Sequence, residues 1–213
     1  MSDSYITVKQ QASGEFVVNK SRFIGFAAPV ETEQDALAFI RGIREDHRDA
    51  SHNCYAYILG KNESIIRYSD DGEPSGTAGL PMIGVIRSQK IVNCAVVATR
   101  YFGGILLGTG GLARAYSRTC KTAIDAARPV IMKPTNVYAC SLPYSWWDRL
   151  NHSLSTVRDA SLTDIVYTDQ IHFTLSVTAD KAEAIIESIR SLTGRSIVIG
   201  SPSASFVPWE IQA

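Results

Sequence analysis

The apolar and polar positions in the first half of the chain follow two periods, one typical of strands and one of helices. Strands are predicted at residues 5–9, 15–19, 21–28, 54–59, 64–68 and 91–100. A helix over residues 32–47 is predicted from apolar residues at helical spacing, namely Ala36, Phe39, Ile40 and Ile43. Further helices are predicted near residues 79–88 and from a glycine-rich turn to about Ala127. The first half is therefore expected to combine a sheet with several helices.

The second half has a simpler order of elements. They are predicted at residues 137–142 (strand), 145–160 (helix), 164–178 (strand-rich), 179–192 (helix) and 196–199 (the start of a last strand). Asp169 and Gln170 divide the strand-rich run into a hairpin, and Gly194 ends the second helix. The order β-α-β-β-α-β predicts a ferredoxin-like domain with both helices on one sheet face and the other face free.

Length and proline placement indicate two domains of the α+β class. The 213 residues are 45% hydrophobic, which is typical of a folded protein and excludes a disordered one. Pro129 and Pro134 bracket a short segment that we interpret as the junction, because proline cannot continue a helix. The predicted domains are residues 1–130 and 135–213.

Charge and cysteine content exclude several classes of protein. The formal net charge is zero, so no whole-molecule field draws the chain to nucleic acid or membrane. No apolar run approaches the ~20 residues needed to cross a bilayer, and the N-terminus does not resemble a signal peptide. We therefore predict a cytoplasmic protein with no membrane partner, in which the four dispersed cysteines are reduced, buried hydrophobes. They are Cys54, Cys94, Cys120 and Cys140.

A glycine-rich turn precedes the long helix of the first half. Residues 103–111 contain five of the 15 glycines, and Gly108–Ala113 matches the G-x-G-x-x-A spacing of a dinucleotide fingerprint. The acidic residue that the fingerprint requires about 20 residues later is missing, so this match by itself does not establish nucleotide binding. Two interpretations remain, a tight turn or an anion site made of helix-start amides. The candidate anion-binding glycines are Gly103, Gly104, Gly108 and Gly110.

The long helix has one apolar and one basic face. At 100° per residue, Tyr116, Cys120, Ala123, Ile124 and Ala127 share the apolar face. The opposite face carries four basic residues, Arg114, Arg118, Lys121 and Arg128. Residues 87–128 contain seven basic side chains and only one acidic side chain. Such a stripe is either a solvated surface or a contact for nucleic-acid phosphates. Arg100, at the end of the preceding strand, either joins this anion-binding set or pairs with an acidic loop.

That acidic loop follows the fifth predicted strand. Asp70, Asp71 and Glu73 would supply carboxylate oxygens to a magnesium ion, with His52 or His47 as a base. Asp71-Gly72 is also a strong turn signal, so the acids equally fit a solvated loop. His52, Asp70, Asp71 and Glu73 are the candidate catalytic residues, although no pattern of a known hydrolase supports them. The sequence favours a non-enzymatic protein.

Four segments, taken together, resemble the bacterial YigZ branch of the IMPACT family. They are Lys20–Gly25, His52–Tyr57, Tyr68–Gly79 and Arg100–Leu112, and they cover the first ~130 residues in order. The resemblance implies an N-terminal β-α domain like a small-subunit ribosomal protein and domain IV of the translocating elongation factor. It implies a ferredoxin-like C-terminal domain similar to domain V of that factor.

The resemblance also bears on function. Eukaryotic relatives are associated with translational control through a protein partner, whereas fold alone does not establish a role for bacterial members. Our leading hypothesis is a regulator of translation that binds RNA or the ribosome through the basic helix and the glycine-rich turn. The alternatives are a metal-dependent hydrolase or nucleotide- or phosphate-binding enzyme that uses the acidic loop, and a regulator that docks on a protein partner.

Overall fold

The computed structural model describes residues 4–211, which form two compact units. One unit contains residues 5–131 and 209–211, and the other contains residues 4 and 132–208. Both units combine helices with sheets, which confirms the predicted α+β class. None of the helices in the described residues is long and apolar enough to cross a membrane.

The first unit is built on a five-stranded antiparallel sheet. Its elements are β1 (Tyr5–Val8), β2 (Ala12–Val18), β3 (Ser21–Pro29), α1 (Glu33–Asp46), β4 (His52–Leu59), β5 (Ile65–Ser69), α2 (Gly79–Ser88), β6 (Cys94–Tyr101) and α3 (Gly108–Ala126). The sheet order is β2-β3-β6-β4-β5, so β6 is the central strand. The central position explains why seven of its eight residues are buried.

Helices cover both faces of this sheet. Successive side chains of β6 point to opposite faces of the sheet, so they pack into two different hydrophobic cores. Val96 packs with α2 and α3, whereas Val97 packs with α1. Thr32 and Asp35 form a capping box that fixes the start of α1. The predicted strand at 91–100 begins only at Cys94, because Lys90 and Asn93 adopt positive φ angles.

The second unit confirms the predicted order of elements. They are β7 (Pro129–Leu142), which begins at the end of the first unit, α4 (Tyr144–Ser155), β8 (Ala160–Tyr167), β9 (Ile171–Thr178), α5 (Ala182–Leu192), β10 (Val198–Ile199) and β11 (Ser203–Glu210). The sheet order β10-β7-β9-β8 is the ferredoxin-like arrangement, and α4 and α5 pack on the same face. Trp147 is buried there, whereas its neighbour Trp146 is only half-buried, as adjacent helical residues require.

One local prediction in this half is wrong. The helix predicted to residue 160 ends at Ser155, because Ala160 already pairs with Val177 of β9. The strand β11 was not predicted. Pro129 and Pro134 both lie in β7, outside the ladder with β9 that begins at Thr135, and the two compact units divide between Ile131 and Met132.

Candidate functional site

The first acid of the predicted acidic loop organises the start of α2. The Asp70 carboxylate accepts hydrogen bonds from the backbone N–H groups of Gly76 (2.8 Å), Ala78 (3.0 Å) and Gly79 (2.8 Å). These amides lie at and before the first turn of the helix, where no intrahelical acceptor is available. Asp70 therefore caps the N-terminus of α2, although it lies nine residues before the first residue of that helix, Gly79.

The second acid ties the loop to two other elements. One oxygen of Asp71 accepts from Arg44 of α1 at 2.7 Å, and the other accepts from the backbone N–H of Asn53 at 2.6 Å. The backbone carbonyl of Asp71 lies 2.8 Å from Nδ1 of His52. Because a carbonyl oxygen only accepts, Nδ1 of His52 carries a proton and donates to it.

The third acid, Glu73, is almost fully buried, with 4% of its side chain exposed. Its Oε1 accepts from Nη1 of Arg100 at 2.6 Å and from the hydroxyl of Tyr116 at 2.7 Å. Burial raises the pKa of Tyr116, so this hydroxyl stays protonated and donates. Nε2 of His52 lies 3.9 Å from the same carboxylate oxygen. The three acids therefore bind three different sets of partners.

His47, the other predicted base, does not join the three acids, and the nearby thiol of Cys54 supplies no nucleophile. His47 bonds to the hydroxyl of Tyr101 at 2.9 Å, away from the acidic loop. Burial raises the pKa of Cys54 to about 12, which leaves no thiolate beside the loop at neutral pH. Within residues 4–211 no group of three or more His, Cys, Asp or Glu side chains is arranged to hold a metal ion.

The buried cation of the site is Arg100, at the end of β6. Its side chain is 5% exposed, and its guanidinium carbon lies 5.4 Å from the ring centroid of Phe23 and 5.2 Å from that of Phe102. The pairing with the acidic loop that the sequence suggested is thus made with Glu73. The structure places Arg100 in the interior, separate from the exposed cations of α3 with which it was also grouped.

The glycine-rich turn joins this buried pair to α3, and its glycines have different roles. A Cβ atom on Gly103 would lie 2.0 Å from the backbone carbonyl carbon of Lys20, so only glycine fits. Gly104 and Gly108 have positive φ angles of 82° and 68°. Gly110 lies inside α3, whose N-terminus no side chain caps.

A cavity of about 420 Å³ lies where the acidic loop, β6 and α3 meet. Its lining residues are Ser51, His52, Glu73, Pro74, Arg100, Phe102, Leu106, Leu107, Gly108, Thr109 and Leu112. Most of this wall is apolar, and its polar groups come from the start of β4, the acidic loop, the end of β6 and the start of α3. A cavity of this size and composition is typical of a small-ligand site.

The basic face of α3 is exposed, as predicted, and borders a second cavity of about 280 Å³. Arg114 and Arg118 line this cavity together with Phe16 of β2, and the guanidinium carbon of Arg118 lies 4.2 Å from the Phe16 ring centroid. Lys121 pairs with Asp125 one turn later at 2.8 Å. Two arginines and a ring, with no acid in the cavity wall, can bind an anion attached to a planar group.

Sequence reasoning missed two members of these sites. Tyr116 was assigned only to the apolar face of α3, yet its hydroxyl binds Glu73. A tyrosine on an otherwise apolar helix face is the available signal, because a buried hydroxyl requires a partner. No pattern in the sequence marks Phe16 as a site residue, because it contacts Arg118 only through the packing of β2 beside α3.

These features define a class of protein with two α+β domains, in which a buried Glu–Arg pair and a glycine-rich turn precede a basic helix. The sequence matches the Impact N-terminal domain over residues 19–124 and a domain of unknown function, DUF1949, over residues 140–195. It is 39% identical to the IMPACT family member YvyE of Bacillus subtilis, over 91% of this chain and 88% of the relative. The chain belongs to the IMPACT family.

Two further comparisons agree with this assignment. The IMPACT family member YigZ of Escherichia coli is 37% identical over 60% of this chain and 63% of its own length. A crystal structure of a hypothetical protein superposes with a TM-score of 0.60 at 28% identity, covering 94% of this chain and 98% of that one. The family resemblance inferred from the four sequence segments is therefore confirmed.

Proposed function

We propose that the protein is a translation-associated regulator that binds RNA, free or in the ribosome, through the basic face of α3. The observation that carries the proposal is the second cavity, in which Arg114, Arg118 and Phe16 lie together on an exposed surface. Both arginines are exposed and no acidic side chain lines the cavity. This arrangement supplies cations for phosphates and a stacked guanidinium plane for an unpaired base.

The helix supports the same contact at two further points. Lys121 extends the basic face by one turn. Its ion pair with Asp125 partly neutralises its charge, so its attraction for a phosphate is weaker. At the other end, the free amides of the first turn, from Gly108 to Gly110, add backbone donors at the positive end of the helix dipole. The proposed footprint therefore runs along one face of one helix.

Family membership supports a role in translation without specifying a ligand. The relatives named IMPACT in Xenopus and Saccharomyces cerevisiae match this chain over about half of its length. The resemblance of the first domain to proteins that contact ribosomal RNA makes RNA the favoured partner of the basic face. The metal-dependent hydrolase gains no support from the acidic loop, because its three carboxylates bind separate partners.

Co-sedimentation of the purified protein with ribosomes over a salt series tests this proposal. We expect pelleting at low salt that falls steeply as salt rises, since each phosphate contact releases counterions. The triple variant Arg114→Glu, Arg118→Glu, Lys121→Glu should not pellet. A matched variant with the same change in charge, Arg41→Glu, Arg48→Glu, Arg190→Glu, reverses exposed cations outside α3 and should pellet normally.

Full pelleting by the α3 variant would overturn the proposal. Pelleting that does not depend on salt would also contradict it, and would indicate a protein contact of the kind inferred for eukaryotic relatives. Circular dichroism of both variants establishes that they are folded, because all six substituted residues are exposed.

A further inference from the structure

The packing of α3 along β2 positions the second cavity. Gly14 allows close contact at one end, because a Cβ atom there would lie 2.6 Å from Cγ2 of Thr122. Two residues further along β2, Phe16 lies against Arg118, which precedes Thr122 by one helical turn. Two strand residues span about 6.7 Å and four helical residues about 6 Å, so the two faces stay matched as far as Val18, which lines the cavity. The cavity therefore lies between a basic helix face and an apolar strand face.

The ring of Phe16 is held in place beneath Arg118. Phe16 pairs with Phe23 across β2 and β3, and their rings are stacked with centroids 5.5 Å apart and an interplanar angle of 8°. Phe23 is fully buried, so the ring that supports Phe16 belongs to the core. The guanidinium carbon of Arg118 lies 4.2 Å from the Phe16 centroid, well within cation–π range. Arg118 therefore presents a supported planar cation at the cavity.

The two arginines of the cavity lie one helical turn apart. Nη1 of Arg114 lies near the first turn of α3, 3.5 Å from the position that a Cβ atom on Gly110 would occupy, whereas Arg118 lies over Phe16. One turn corresponds to about 6 Å along the helix axis. The described lining residues include both arginines and no acid. A phosphate at Arg114 and a base stacked on Arg118 can therefore belong to the same nucleotide.

The hairpin turn between β2 and β3 adds an amide at the edge of the cavity. Asn19 and Lys20 have positive φ angles of 45° and 63° and lie between the paired residues Val18 and Ser21, as in a type I′ turn. Gly103 packs against the Lys20 backbone, which holds the turn in place. Asn19 lines the cavity, and its side-chain amide offers both donors and an acceptor. The edge of an unpaired base offers the same kinds of group.

We propose that RNA is bound at this cavity as a single strand, with one unpaired base stacked on the guanidinium of Arg118. The phosphate of that nucleotide contacts Arg114, and the edge of the base contacts Asn19. In an A-form duplex the bases are stacked and paired, and side chains cannot read the deep, narrow major groove, so a duplex offers this site its phosphates alone. The inference rests on the proposed RNA-binding function and specifies the form of RNA that the surface selects.

Fluorescence anisotropy of labelled decauridylate with the purified protein measures this binding. The comparison is a ten-residue abasic ribose–phosphate oligomer, which carries the same phosphates without bases. Decauridylate should bind at least about fivefold more tightly, the gain expected from stacking of one base. A ten-base-pair RNA duplex is the third probe, because it presents phosphates but no unpaired base.

Phe16→Leu removes the aromatic support of Arg118 without changing the charge. In this variant the affinity for decauridylate should fall about fivefold relative to the affinities for the abasic oligomer and the duplex. Phe39→Leu is the matched control, because Phe39 packs with α1 on the other face of the sheet, and it should keep both affinity ratios. Circular dichroism establishes that both variants are folded.

Asn19→Gly provides a second test that leaves the aromatic stack intact. Glycine suits the positive φ angle of this position, so the turn is kept while the amide is lost. The variant should also lower the affinity for decauridylate relative to the other two probes.

Three results would overturn the inference. The first is equal binding of decauridylate and the abasic oligomer, which would leave the proposed function standing on phosphate contacts alone. The second is unchanged affinity ratios in both Phe16→Leu and Asn19→Gly. The third is no binding of any of the three probes at low salt, in which case ribosome co-sedimentation decides the proposed function separately.

Discussion

The carboxylate of Glu73 and the guanidinium of Arg100 form a 2.6 Å ion pair across 27 residues of sequence, with each side chain at most 5% exposed. The pair joins the acidic loop to the central strand β6, directly before the glycine-rich turn. Tyr116 of α3 donates to the same carboxylate oxygen. Loop, strand and helix are thereby held together at the wall of the larger cavity.

Glu73→Gln should therefore destabilise the first domain strongly. Removing one partner of a buried ion pair leaves the other charge uncompensated, which costs about 3 kcal/mol or more of unfolding free energy. Urea unfolding followed by circular dichroism measures the change. Glu63→Gln is the control, because its 2.8 Å pair with Arg87 is largely exposed and should contribute less than about 1 kcal/mol. Equal losses of unfolding free energy in the two variants would contradict a stabilising role for the buried Glu73–Arg100 ion pair.

Asp70→Ala should destabilise the start of α2. The substitution removes the acceptor of three backbone N–H groups, and loss of a helix cap costs about 1–2 kcal/mol. Hydrogen exchange should accelerate at the Ala78 and Gly79 amides. Asp46→Ala, at an exposed residue of α1, is the comparison and should change stability by less than about 0.5 kcal/mol. Unchanged exchange in Asp70→Ala would disprove the capping role.

Two glycine substitutions around the turn should have opposite effects. Gly103→Ala forces a Cβ atom to within 2.0 Å of the Lys20 backbone and should cost about 3 kcal/mol or more. Gly110→Ala adds a Cβ 3.5 Å from Nη1 of Arg114 inside a helix, and should raise the melting temperature through a gain of about 0.5–1 kcal/mol. Thermal unfolding of both variants measures whether each substitution lowers or raises the melting temperature.

Stability should fall as the pH rises above 9. Burial raises the pKa of Cys54, Cys94 and Cys140 to about 12, above the ordinary value of 9.0. Between these values the unfolded thiols lose their protons while the native thiols retain them, so each can remove at most about 1.4 kcal/mol of unfolding free energy per pH unit.

Unfolding in urea at pH 8, 9 and 10 under reducing conditions measures this slope. Cys94→Ala should make the slope shallower, because it removes one fully buried thiol. An identical slope in the variant would show that other groups control the alkaline loss of stability.

The salt dependence of ribosome binding should distinguish the cations of α3. Arg114→Ala should lower the slope of log affinity against log salt by about 1, as expected for one lost phosphate contact. Lys121→Ala should change the slope less, because Asp125 already pairs with that ammonium group. Asp125→Asn releases Lys121 and should strengthen binding, and weaker binding by this variant would contradict the proposed footprint.

The sequence alone determined the features that depend on local periodicity. Helical spacing identified α1 and the two faces of α3, and the turn at Asp169 and Gln170 identified the hairpin of the second domain. These predictions succeeded because burial imposes a period of 3.6 or 2 on neighbouring residues. Four short segments were also sufficient to identify the family.

Tertiary structure alone decided which distant residues meet. The pattern that marked Asp70, Asp71 and Glu73 as one cluster could not show that they bind α2 amides, Arg44 and Arg100 respectively. Equally, nothing local places Phe16 under Arg118. Such contacts arise from sheet order and helix packing, so a side chain's partner depends on elements tens of residues away, whereas its burial is already encoded in the spacing of its neighbours.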